Sequence, residues 1–314
     1  RVIDEDRDGA ESGRGAGRAS ASAAAAPPRL AVNVSAQRMS QVGGVRKLAA
    51  QLAACDEVFA EAGLPAVRVA VRSRDDVAPG EWSLAFVGVD VHWGQGGTDE
   101  ARSNAEASDE QLVAAVVAAL RRHLHGLINM DDVAAAVEAT AQQHPVLVRE
   151  VVPRVVSLPV LTELWRALLR ESVPLRDRAA VLEACSLAPD EVRAQPLRLA
   201  EHVRAHLQRQ IAGQWAPRGQ VEVFTVEPMI EDVVRGAVDH RDKTLVVALE
   251  PAIAADIVNA VRAQVGSRGV LLTAADVRRP LRSLLELDLP DVVVLAPHEL
   301  SPGTIVRNAG TISV

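Results

Sequence analysis

Glycines cluster in Gly94-Gln95-Gly96-Gly97, and a glycine-rich turn can converge its backbone N–H groups on a phosphate. That chemistry needs a strand before the turn, a helix after it, and a Lys-Ser or Lys-Thr pair to meet the phosphate. Here Thr98-Asp99-Glu100 follows and would repel an anion, so the stretch reads as a surface loop. His123 and His125 flank Leu124. Two residues along a helix is a rotation of roughly 200°, so the two rings cannot share one metal ion as an i, i+4 pair could. His125 is expected on the polar side of its helix, and both rings read as surface histidines. Asp75-Asp76 and Asp131-Asp132 are adjacent carboxylates, whereas acid–base pairs need separated groups in different surroundings. Asp131-Asp132 stands where a helix is expected to start, and negative charge there suits the macrodipole. No Gly-x-Ser-x-Gly, Ser-x-x-Lys, His-Glu-x-x-His or Cys-x-x-Cys occurs in the chain. Catalytic, cofactor and metal sites are therefore all expected to be none, and the chain does not read as an enzyme.

The wider composition agrees. Four Trp, three Phe and no Tyr leave few rings for stacking bases, and the net charge of −7 gives no basic footprint for a nucleic acid. Arg121-Arg122 and Arg278-Arg279 read as solvated faces or ion pairs. Cys55 and Cys185 lie far apart, each on an apolar helical stripe, and are expected to be reduced core thiols of a cytosolic protein. No apolar run approaches the ~20 residues that cross a bilayer, and no signal peptide opens the chain. The first residue is Arg1 rather than Met, which predicts a piece of a longer protein.

Hydrophobic periodicity supplies the elements that would position these groups. Residues 1–28 mix charge with Gly, Ser and an Ala run ending at Pro27-Pro28, and predict a disordered linker. Leu30, Val32 and Val34 alternate as a strand does. Val45, Leu48, Leu52, Cys55 and Phe59 then recur at three- and four-residue steps, giving a helix closed by Gly63. Val67, Val69 and Val71 predict a second strand, and Trp82 through Val91 a third. The order suggests a small α+β sandwich, followed by a polar loop at 94–109 and a helix bearing Leu112, Val116 and Leu120. Asn33-Val34-Ser35 matches a glycosylation triplet but lies in a predicted strand and is discounted. From Met130 to about Ala212 every pattern is helical. Ser157 is a candidate cap, Pro174 a break, and one long helix is expected from about Pro189 to Ile211. After Ala216-Pro217 and Gly219, strands and helices alternate as in an α/β sheet, with a tail at 304–314 able to add one edge hairpin. The predicted fold class is α+β with several subdomains: a small β-α-β-β sandwich, an all-helical middle and a C-terminal α/β unit.

One segment carries more than periodicity. Leu168-Leu169-Arg170-Glu171-Ser172-Val173-Pro174-Leu175-Arg176-Asp177, leading into Val181-Leu182-Glu183, resembles the signature of FHIPEP, the flagellar and type III secretion export-gate family. Leu147-Val148-Arg149-Glu150-Val151-Val152-Pro153 is similar to the family's approach to that signature, and Gln214-Trp215-Ala216-Pro217 to the end of its helical subdomain. Arg279-Pro280-Leu281, Leu289-Pro290 with Val292–Leu295, and Glu299-Leu300 resemble its terminal subdomain. Ala179 stands where the pattern has Arg, and Asp131 where it has Gln.

The resemblance implies a multi-span membrane part, a linker, and a cytoplasmic part of four subdomains forming a ring, typically of nine, below the bacterial inner membrane. Such a ring receives export substrates and their chaperones and meets other export-apparatus proteins. On that map 1–28 is the linker and 29–129 the first subdomain. The helical subdomain is 130–213, on which ring assembly would rest, and the C-terminal one is 218–314. The family inserts its second subdomain near 94–109, too short here to build one, and its chaperone-docking groove lies between the first two. Glu171, Arg176, Asp177 and Glu183 are expected to serve as a structural signature or at a subunit interface, and Arg176 could pair with a neighbouring carboxylate. Two other readings stand beside this one. A divergent scaffold could have lost chaperone docking and secretion, and the C-terminal strand–helix alternation alone could belong to a nucleotide-using enzyme.

Overall fold

The structure is a computed structural model and describes residues 27–41, 45–95, 105–239 and 246–314. Strand β1, Leu30–Val34, is central in the first sheet and buries all five residues. Three short helices follow it: α1 (Ala36–Gln41), α2 (Val45–Gln51) and, after a 3-10 turn, α3 (Cys55–Ala62). Leu48, Leu52, Cys55 and Phe59 are all buried, so the predicted apolar face is the packed one, but the single helix expected from Val45 to Gly63 is divided by the 3-10 turn at Leu52–Ala54. Gly63 closes α3 at φ 75°.

Strands β2 (Val69–Ser73), β3 (Glu81–Phe86) and β4 (Val89–Gln95) complete a sheet of order β2-β1-β3-β4. The sequence predicts one strand from Trp82 through Val91. The chain instead turns back at Val87 (φ 51°) and Gly88 (φ 83°), making β3 and β4 an antiparallel hairpin. Two left-handed residues give the tight turn whose twist matches a hairpin. Valine at the first of them hides it, because apolar alternation runs straight through the turn.

Helix α4 (Ala105–His123) lays Leu112, Val116 and Leu120 into the same core. Of the expected loop at 94–109, Gly94 and Gln95 belong to β4 and 105–109 to α4. Residues 96–104 lie outside the described residues, as do 1–26 of the expected linker.

Seven helices make the middle layer: α5 (Met130–Ala141), α6 (Pro145–Val151), α7 (Leu158–Arg170), α8 (Arg178–Leu187), α9 (Asp190–Arg193), α10 (Pro196–His206) and α11 (Gln208–Trp215). The single helix expected from Pro189 to Ile211 is thus three pieces. Pro196 takes the first position of α10, where its missing N–H costs nothing, and the chain breaks before it at Ala194-Gln195. Ser157 does precede α7, yet its hydroxyl makes no capping bond. Asp132 does better than the dipole argument foresees. It forms a capping box with Asn129, and Arg29 at the entry to β1 donates to its carboxylate at 2.9 Å. Helix α7 buries Leu161, Leu164, Trp165 and Leu168 on one face, each such side chain contributing about 1.5–3 kcal/mol.

The C-terminal unit contains β5 (Gln220–Val226), α12 (Pro228–Gly236), a two-residue ribbon of β6 (Val238–Asp239) and β7 (Val246–Val247), α13 (Pro251–Val265), β8 (Gly269–Leu272), α14 (Ala275–Leu285), β9 (Val292–Leu295) and β10 (Ile305–Ile312). Its main sheet is parallel throughout, in the order β10-β5-β8-β9. The tail forms one edge strand beside β5 rather than a hairpin. Val226, Leu271, Val292 and Val294 pack with Ile230, Val261, Val277 and Leu281 from the helices on one face. Val221 and Val223 pack with Ala216 and Leu300 on the other. Among the described residues no helix is long and apolar enough to cross a membrane.

Candidate functional site

The segment from Glu171 to Asp177 is shaped by its own backbone. Helix α7 ends as Val173 N–H donates to the Leu168 carbonyl at 2.9 Å and Ser172 N–H to that of Leu169 at 3.0 Å. This is the Schellman closure, and it requires a left-handed residue at its centre. Ser172 takes that place at φ 58°, with Leu168 and Val173 both buried. Pro174 then prevents the helix from resuming. Asp177 opens α8 as its cap, one position before the first turn, and accepts from the Ala180 N–H at 2.9 Å.

On one side this segment closes the end of α3. The Leu175 N–H donates to the Ala62 carbonyl at 2.8 Å. The Arg176 Nε donates to the carbonyls of Ala60 and Glu61 at 3.2 and 3.1 Å. The Arg178 Nη2 reaches the Gly63 carbonyl at 2.7 Å. Two guanidiniums therefore meet the negative end of a helix whose last carbonyls have no partners within it. The sequence suggests a carboxylate partner for Arg176, and the structure gives it backbone oxygens instead. Gly63 lets the two backbones touch, since a Cβ there would stand 2.4 Å from Arg176 N.

On the other side the segment meets charge. The Glu171 carboxylate contacts Arg278 from α14 at both oxygens, Arg279 at 3.2 Å and Arg204 from α10 at 3.2 Å. The Arg204 contact is an ion pair without hydrogen-bond geometry at Nη1. Arg278, fully buried, also grips Glu201 of α10, with Nε donating at 2.9 Å. Arg204 donates through Nε to Glu299 at 2.6 Å, and Glu299 accepts the Ala296 N–H at 2.8 Å. Burial pushes the Glu171 carboxyl up, but the charges of Arg278 and Arg204, the bond from Arg278 and the charge of Arg279 outweigh it and hold the group well below the usual carboxylate range. Burial likewise opposes the charge on Arg278, and Glu171 and Glu201 reverse that effect. Three carboxylates thus neutralise three guanidiniums where α7, α10 and α14 meet.

Of the residues singled out in the sequence, Glu171, Arg176 and Asp177 are brought into this one segment. Glu183 is not part of it and lies exposed on α8. Sequence reasoning misses Glu201, Arg204 and the burial of Arg278. The signal was present in α10, where Arg204 falls on the stripe of Leu199, Ala200, Val203 and Leu207. In α14 Arg278 and Arg282 similarly flank Val277, Leu281 and Leu285. Arg121 and Arg122, by contrast, form surface pairs with Glu61 and Asp291.

Asn33 is buried and donates to Ser83 at 3.0 Å and to Asp90 at 3.1 Å. Burial pushes the thiols of Cys55 and Cys185 up to about 11 and about 12, with Asp56 adding to the first. His125 is half-buried rather than on a polar surface. Its pKa falls to about 4, first through burial and then through the charge of Arg170. Among the described residues no group of three His, Cys, Asp or Glu could hold a metal ion.

The same segment falls within a family match. The FHIPEP family pattern covers residues 98–304. The chain belongs to this family. A probable translocation protein of Sinorhizobium fredii is 31 % identical over 210 residues, 65 % of this chain and 30 % of that protein. The flagellar biosynthesis protein FlhA of Salmonella typhimurium is 30 % identical over 249 residues, 74 % of this chain and 35 % of FlhA. This FHIPEP chain thus spans about a third of the length of the curated relatives it matches. Its fold is that of the nonameric EscV cytosolic domain from a type III secretion system, with a TM-score of 0.65 at 17 % identity, covering 92 % of this chain and 98 % of that one.

Proposed function

We propose that this chain is the cytoplasmic part of an export gate for flagellar or type III protein secretion. It assembles as a ring, nine copies on the model of EscV, at the cytoplasmic face of the bacterial inner membrane. There it receives export substrates and their chaperones, binds them and passes them on without bond chemistry of its own. The observation that carries this reading is the family match across residues 98–304, which includes the braced segment and strands β5, β8 and β9 of the C-terminal sheet. The fold shared with a nonameric cytosolic domain supports the ring. Within it, Glu171, Arg176 and Asp177 brace the single subunit, and Glu183, exposed on α8, is the signature residue free to meet a neighbouring copy. Native mass measurement or sedimentation at high concentration tests the ring. Oligomers up to nine copies are expected, and monomers alone at every concentration would remove this part of the proposal.

A second reading has its own observation. Strand β4 ends at Gln95 and α4 begins at Ala105, so only residues 96–104 stand where the family inserts its second subdomain. A scaffold that no longer docks chaperones fits that shortening. Capture of type III chaperones by the chain supports the secretion role, and retention of none favours the scaffold.

A further inference from the structure

Beside the ion network, α7 and α14 leave a cleft of about 270 Å³, solvent included, lined by Arg170, Glu171, Arg279, Arg282, Ser283 and Glu286 among others. Its cations are unevenly matched. Both oxygens of Glu171 are already engaged by Arg278, Arg279 and Arg204. Arg282 gives Nη1 and Nη2 to the carbonyls of Leu289, Val292 and Pro290. Arg279 keeps a buried Nε that meets no acceptor. Arg170 is exposed on the cleft wall, and neither it nor Glu286 forms an ion pair among the described residues. A buried cationic donor without an acceptor is costly, and a concave wall focuses its field outward.

We propose that this cleft is a binding site for a small oxyanion, a carboxylate or phosphate group held between Arg170 and Arg279 with the Ser283 hydroxyl as a further donor. Guanidinium forks match such groups in shape as well as charge. One neighbouring effect agrees with a positive charge from Arg170 beside the cleft. After burial, the charge of Arg170 is the next cause depressing His125.

Thermal unfolding of the whole chain in inorganic phosphate, in acetate and in chloride at matched ionic strength tests the site. A bound oxyanion should raise Tm by about 2–4 °C over chloride once its concentration is several times Kd. A rise in acetate alone identifies carboxylate as the ligand, and a rise in phosphate alone identifies phosphate. The variants R170Q and S283E, both at exposed positions, should each lose the rise, the second because its own carboxylate occupies the cleft. E286Q should enlarge it by removing a competing charge. The His125 ring should also titrate at higher pH with the anion present, and not in R170Q. Equal Tm in all three salts overturns the proposal. So does a rise that persists in R170Q and S283E, or one that leaves His125 unmoved.

Discussion

Toward α3, the Glu171–Asp177 segment meets backbone: three donors from Leu175, Arg176 and Arg178 satisfy carbonyls at a helix end, and Gly63 permits the close approach. Toward the C-terminal sheet it meets buried charge, with Glu171 shared among three arginines. The first contact costs little to make, because helix-end carbonyls need partners anyway. The second desolvates Glu171, Arg204, Arg278 and Glu299, with Arg279 and Glu201 partly exposed, and such an arrangement is stabilising only while it is complete. A backbone junction should therefore tolerate most side-chain changes and fail through sterics. An ionic junction should tolerate small shifts in geometry and fail through loss of a single charge. The chain uses one short segment to set both.

The largest expected effect is on the charged side. Glu171→Gln leaves Arg278, Arg204 and Arg279 in the interior with one carboxylate too few, and should cost about 3–5 kcal/mol in urea unfolding. Acid gives a second readout. Because the folded Glu171 pKa is depressed, its contribution is present above the unfolded value of about 4.3 and lost as pH falls through the folded one. Stability should fall less steeply with acid below about pH 4.3 in the variant than in the parent. Equal stability of the two proteins at pH 7 would mean that the ion network is not what joins α14 to α7.

Gly63→Ala probes the other side. The new Cβ would occupy a left-handed residue and stand 2.4 Å from Arg176 N and 2.5 Å from the Leu175 carbonyl carbon. The conformational term alone is about 1–2 kcal/mol, and parting the two backbones should bring the total to about 2–4 kcal/mol. Amide exchange separates the junctions. Gly63→Ala should speed exchange in α3 while sparing α14, and Glu171→Gln the reverse. Identical exchange maps would show that the segment acts as one cooperative unit with no separable sides.

Much of this arrangement is legible in the sequence. Strand β1, the face of α3 and its closure at Gly63 follow from apolar spacing and one glycine. The signature from Leu168 to Glu183 pointed to the segment that the fold braces. What stayed hidden has physical reasons. The β3–β4 turn is masked because Val87 is a poor residue for a left-handed position and continues an apolar alternation. Arg176 reads as a partner for a carboxylate because charge pairing is the simplest reading, whereas a helix end 115 residues away supplies carbonyls that only the fold brings near. Arg204 sits on an apolar stripe, a visible anomaly. Its partner Glu299 lies 95 residues on, so burial of the pair cannot be read locally.

The smallest effect sharpens the link between the two sides. Ser172 lies between Glu171 and the α3 contacts and holds φ 58° without a glycine. For an L-residue that conformation costs about 1–2 kcal/mol, and glycine would remove it while losing about 0.5–1 kcal/mol of backbone entropy. Ser172→Gly should therefore stabilise the chain by about 0.5 kcal/mol, seen as a higher denaturant midpoint at unchanged slope. Both the charge network and the α3 contacts would be left in place, so amide exchange should slow on both sides together. A loss of stability would mean that the Ser172 side chain makes a contact worth more than the strain. A gain confined to one side would mean that the Schellman turn does not couple the two junctions.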